Sequence, residues 1–83
     1  MPKVEQIFEQ KDILEYLQAR GLVKQYQKAK LFILSKQQQQ ARFKEKNPKG
    51  CGIWYFRINS QYRALGIFNE KNELIIFEID NHQ

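Results

Sequence analysis

The side chains best suited to chemistry lie in the last third of the chain. Arg57-Ile-Asn-Ser-Gln-Tyr-Arg63 interrupts one run of strand-forming residues, and Asp80-Asn81-His82 closes another. Strands rich in Ile, Phe, Tyr and Trp bury themselves, so two arginines and the sole histidine among them point to a cationic site on one sheet face. Guanidinium groups grip phosphate in a fixed planar geometry. An imidazole carries a proton near neutral pH, and a neighbouring carboxylate can orient it or act as a base. Arg57, Arg63, Asp80 and His82 are therefore candidates for holding a phosphate and moving protons around it.

Strand alternation decides whether these groups meet. Residues 53–58, 62–68 and 73–80 read as three strands rich in β-branched and aromatic residues, joined tightly as an antiparallel meander. In the first, Trp54, Phe56 and Ile58 suit the core side and leave Tyr55, Arg57 and Asn59 on the open side. A three-residue loop over Asn59-Ser60-Gln61 sets Ile58 opposite Tyr62 and Arg57 opposite Arg63. A two-residue loop would send the arginines to opposite faces. The three-residue loop is favoured because it lets both arginines meet Asp80 and His82. Like charges directly opposite are destabilising, and a bound anion would relieve them. In the last strand the apolar set Ile75, Phe77 and Ile79 is expected to face the core. Leu74, Ile76, Glu78, Asp80 and His82 would then lie on the open face.

The first half must supply the cover. Ile13, Leu14 and Leu17 fall on one helical stripe, and Leu22, Val23, Tyr26, Ala29, Lys30, Phe32 and Ile33 on another. Lys24, Gln25, Gln27 and Lys28 would face water. Gly21 separates the segments as a left-handed helix stop. The Gln37–Gln40 run reads as a solvated helix end, and a short strand at 42–44 precedes a turn dense in Pro, Gly and Asn. The expected fold is α+β: an N-terminal helical hairpin, about 9–40, packed on a small antiparallel β-sheet, about 41–82.

Eighty-three residues make a single domain, 1–83, with a small core. Apolar residues at 42% and aromatics at 13% suffice for folding. The net charge of +5 favours an anionic partner. Cys51 stands alone, so no internal disulfide can form. One cysteine and one histidine argue against a zinc site. Neither a membrane span nor a signal peptide is legible, so a cytoplasmic protein without cofactor, metal or membrane partner is expected.

The string Phe56-Arg57-Ile58-Asn59-Ser60-Gln61-Tyr62-Arg63, followed by Phe77-Glu78-Ile79-Asp80-Asn81-His82, resembles the RelE/ParE superfamily of bacterial toxins, closest to the host-inhibition (HigB-like) branch. That branch carries an Arg-Ile-Asn-x-Gln-Tyr-Arg hairpin and ends a strand in Asp-x-His. The specific motifs occupy about 50–82, while the layout covers nearly the whole chain. The resemblance implies a type II toxin with a cognate antitoxin, acting on messenger RNA at the ribosome as a metal-free endoribonuclease. Arg57, Arg63, Asp80 and His82 would be catalytic. Lys44, Lys46, Lys49, Tyr55 and Asn81 would bind RNA. Two departures from the pattern are plain. Asn81 stands where related toxins often have Tyr, and the branch's upstream histidine is absent. Other readings are a gyrase inhibitor on the same fold and a non-toxic binding module.

Overall fold

The computed structural model describes residues 2–81. The protein is α+β, but it begins with a strand. β1 (Gln6–Glu9) precedes α1 (Ile13–Ala19) and α2 (Val23–Leu34). A 3-10 turn (Gln38–Ala41) leads to β2 (Lys44–Glu45), β3 (Ile53–Arg57), β4 (Tyr62–Phe68) and β5 (Glu73–Asn81). The five strands form one sheet in the order β1-β5-β4-β3-β2. β1 runs parallel to β5 and the other pairs are antiparallel. The expected N-terminal helical hairpin on an antiparallel sheet is therefore corrected to a strand, a helical pair and a mixed sheet.

The helical pair turns as the sequence predicts. Gly21 adopts φ +68°, and Leu22 N donates to Leu17 O at 2.8 Å while Gly21 N donates to Gln18 O at 3.1 Å. This double bond pattern is a Schellman stop, which needs a left-handed residue that glycine adopts without strain. The end of α2 repeats it with Lys36 at φ 65°: Gln37 N reaches Phe32 O at 2.7 Å and Lys36 N reaches Ile33 O at 3.3 Å. The apolar stripes land as expected on Ile13, Leu17, Leu22, Tyr26, Ala29 and Ile33, all buried, whereas Leu14 is exposed. Gln38 departs from its expected solvated position. It is buried, and its Nε2 donates to Pro2 O at 2.8 Å.

Leu17, Tyr26 and Ile33 pack with Phe56, Leu74 and Ile76 in one core on the helix-covered face. Burying each such side chain stabilises the fold by about 1.5–3 kcal/mol. β1 is tied down at its end. Glu9 accepts from Tyr26 Oη at 2.6 Å and from Lys30 Nζ at 2.9 Å. Burial, the Glu9 hydrogen bond and the Glu9 charge together hold the Tyr26 proton far above its ordinary range.

β5 contains a bulge that reverses part of the expected facing. Leu65 pairs with Glu78 but Gly66 pairs with Ile76, so Phe77 is the extra residue. Before the bulge Leu74 and Ile76 face the helices and are fully buried, while Ile75 is only half-buried. After it Ile79 faces the core, and Glu78 and Asp80 face outward. The expected core set Ile75, Phe77 and Ile79 is thus correct only at Ile79. Gly66 permits the close approach. A Cβ there would lie 2.9 Å from the Ile75 carbonyl oxygen.

Cross-strand pairing orders the open face in rows. Phe8, Ile75, Ile67 and Ile53 form an apolar row across four strands. Lys44, Tyr55, Leu65 and Glu78 follow. Arg57, Arg63 and Asp80 form the charged row. Among the described residues no helix is long and apolar enough to cross a membrane.

Candidate functional site

The β3–β4 turn is built by Asn59. Its Oδ1 accepts from Gln61 N at 2.8 Å and Tyr62 N at 2.9 Å, an Asx arrangement that closes a tight loop. Its Nδ2 donates to Gln25 Oε1 of α2 at 2.9 Å. Ile58 N donates to Tyr62 O at 2.9 Å, so the loop is the three-residue one. Arg57 consequently lies directly opposite Arg63, and Arg63 opposite Asp80.

The two arginines differ in their company. Arg63 Nη2 meets Asp80 Oδ2 at 3.1 Å, and its guanidinium sits 4.6 Å from the Tyr55 ring centroid. Both contacts fix its plane. Arg57 Nε donates to Asn59 O at 3.1 Å. Among the described residues no carboxylate pairs with Arg57, Arg42 or Lys44. Like charges directly opposite each other on a strand pair are destabilising. Asp80 offsets part of this for Arg63, and an anion held between the guanidiniums would offset the rest.

A cavity of about 540 Å³ opens beside this row, lined by Arg42, Lys44, Tyr55, Arg57 and Arg63 with Gln39, Phe43, Asn59 and Ser60. Its size suits a nucleotide-sized ligand. Four cations and an aromatic face at one opening can hold a phosphate and stack a base. An adjoining space of about 690 Å³ shares Lys44, Tyr55 and Arg63 and is edged by Lys46 and Lys49.

The sequence-predicted site residues fall into four groups. Arg57, Arg63, Asp80 and Tyr55 share the open face, with Lys44 beside them. Lys46 and Lys49 lie at the rim. Asn81 is placed differently from the others. It pairs with Tyr62 on the opposite side of β5 from Asp80, and its Oδ1 accepts from Gln61 Nε2 at 3.0 Å. His82 lies outside the described residues.

Arg42 is the residue that sequence reasoning missed. The expected strand at 42–44 is instead a left-handed turn at Arg42, φ 52°, followed by β2 at Lys44–Glu45. Buried Ala41 and Phe43 anchor it on both sides, and Phe43 stacks on Trp54 at 5.3 Å between centroids. The only signal in the sequence was a lone cation between two apolar residues. No protein-family model and no curated protein matches this chain.

Proposed function

We propose that this chain is a toxin of a type II toxin–antitoxin system, related to the RelE/ParE superfamily, that cleaves messenger RNA at the ribosome. The observation that carries the reading is the facing Arg57–Arg63 pair, open to a nucleotide-sized cavity, with Arg63 oriented by Asp80 and Tyr55 and Arg57 by the Asn59 carbonyl. In such a cleavage the 2′-hydroxyl attacks the adjacent phosphorus while the bond to the 5′-oxygen breaks. The products are a 2′,3′-cyclic phosphate and a free 5′-hydroxyl. One group takes the proton from the 2′-oxygen and another delivers a proton to the leaving oxygen. Arg57 and Arg63 stabilise the extra negative charge on the phosphoryl oxygens. His82 is assigned one of these two transfers, because an imidazole exchanges a proton near neutral pH, and water the other. Asp80, engaged with Arg63, is assigned the positioning of that guanidinium. Lys44, Lys46 and Lys49 would meet phosphates of the message or of ribosomal RNA. A cognate antitoxin would hold the activity in check in the cytoplasm.

The experiment is induction in bacteria of the wild type and of Arg57→Ala, Arg63→Ala and His82→Ala, with mapping of new 5′ ends on translated messages. The wild type is expected to arrest growth and generate cuts, and each variant to lose both. A wild type that leaves growth unchanged refutes the proposal. Arrest with uncut messages and broken DNA would point to a gyrase-directed toxin instead.

A further inference from the structure

A second cavity, about 460 Å³, adjoins the first across the turn at Asn59. Arg42 and Arg57 line both spaces and form the shared wall between them. Neither has a carboxylate partner among the described residues. The far side of the second cavity is made by α2, with Gln25, Lys28 and Phe32, and by Gln40. These side chains are the types that recognise a splayed base: an aromatic face and amides offering both donors and acceptors. Phe32 is packed against the core, and Gln25 is held by Asn59, so the surfaces are preformed. The backbone of Arg42 is equally fixed, since its amide donates to Gln39 O at 3.2 Å and its neighbours are buried.

We infer that the second cavity is a binding site for the nucleotide flanking the one held at Arg57 and Arg63, with Arg42 and Arg57 clamping the phosphate that joins the two. The ligand is a single strand of at least two nucleotides. A duplex cannot splay its bases to either side of one turn. This inference rests on the proposed function for the nature of the ligand, and it adds a second subsite and a specific cation.

The test is fluorescence anisotropy with 2′-O-methyl RNA of one, two and three nucleotides, which cannot be cleaved by 2′-hydroxyl attack. Wild type, Arg42→Ala and Arg42→Gly are compared. Glycine tolerates the left-handed backbone, so Arg42→Gly separates lost binding from lost folding. The wild type should bind the trinucleotide at least about tenfold more tightly than the mononucleotide. Both variants should lose about tenfold on the trinucleotide, lose clearly less on the mononucleotide, and show a salt slope on the trinucleotide shallower by about 0.7. If trinucleotide affinity is unchanged in both variants, or the wild type gains nothing with length, the second subsite is wrong while the proposed function stands. If the trinucleotide binds the wild type but the variants weaken mononucleotide and trinucleotide by the same factor, Arg42 acts at the first site alone and the inference also fails. A wild type that binds no RNA of any length refutes the inference, while the ribosome-dependent function is judged by the growth and cleavage experiment.

Discussion

Replacing Gly66 by alanine tests whether the β5 bulge rests on a missing side chain. The added Cβ would sit 2.9 Å from Ile75 O and 3.0 Å from the Cδ1 atoms of Ile76 and Leu74. Carbon–oxygen approaches relax only at about 3.3 Å, and carbon–carbon at about 3.5 Å or more. The strand must therefore retreat by roughly 0.4 Å. The oxygen is backbone, and Leu74 and Ile76 are fully buried, so little can yield cheaply. Overpacking of this kind costs about 1–3 kcal/mol. Against it stands a gain of about 0.4–1 kcal/mol from a less flexible unfolded chain. The net expectation is a loss of ~1–2 kcal/mol, read by thermal denaturation as a Tm lower by about 5–15 °C for a domain of this size. The bulge is also what turns Asp80 to the same face as Arg63. Phosphate should accordingly raise the Tm of Gly66→Ala by less than it raises that of the wild type. A variant as stable as the wild type would refute the close-packing account of the bulge.

Three further outcomes are expected. Tyr26→Phe removes a group whose folded-state proton is held above its ordinary value of 10.0. Tyr26 therefore contributes stability that is fully present below about pH 10 and declines as pH rises, by up to ~1.4 kcal/mol per pH unit. Urea denaturation between pH 8 and 11 should show the wild type losing stability faster than Tyr26→Phe, and parallel curves would disprove the assignment. Asn59→Ala deletes the acceptor for two turn amides and should cost about 1–2 kcal/mol. Its Tm should fall and its stabilisation by phosphate should weaken, whereas an unchanged Tm would show that the turn does not depend on this side chain. Asp80→Asn breaks a partly exposed ion pair and should change stability by less than about 1 kcal/mol. Message cleavage should nonetheless drop by about tenfold to a hundredfold as Arg63 loses its orientation, and full cleavage by this variant would remove Asp80 from the site.

Most of the candidate site is legible in the sequence because it sits on a local hairpin. The β3–β4 register depends on one short turn. The three-residue loop favoured in the sequence is the one the Asn59 side chain closes, and alternation from Ile58 and Tyr62 carries Arg57 and Arg63 to the same face. The helical stripes and the Gly21 stop are legible for the same reason, since both depend on residues within one or two helical turns of each other. Asp80 reaches Arg63 as expected, although by a different facing of the first half of β5.

The parts that sequence reading missed are long-range. β1 is four residues with only Ile7 and Phe8 as apolar members. It becomes a strand because β5, more than sixty residues later, offers it a parallel edge, and no local pattern reports that. The bulge at Phe77 shifts the two-residue period once, and composition is blind to a single inserted residue apart from the hint of glycine in β4. Arg42 entered the site through a left-handed turn that two buried neighbours impose. Local spacing was enough to bring the arginines together across a hairpin. The neighbouring cavity and the fourth cation of the site came only from packing, where helix, turn and sheet edge meet in space without being near in the chain.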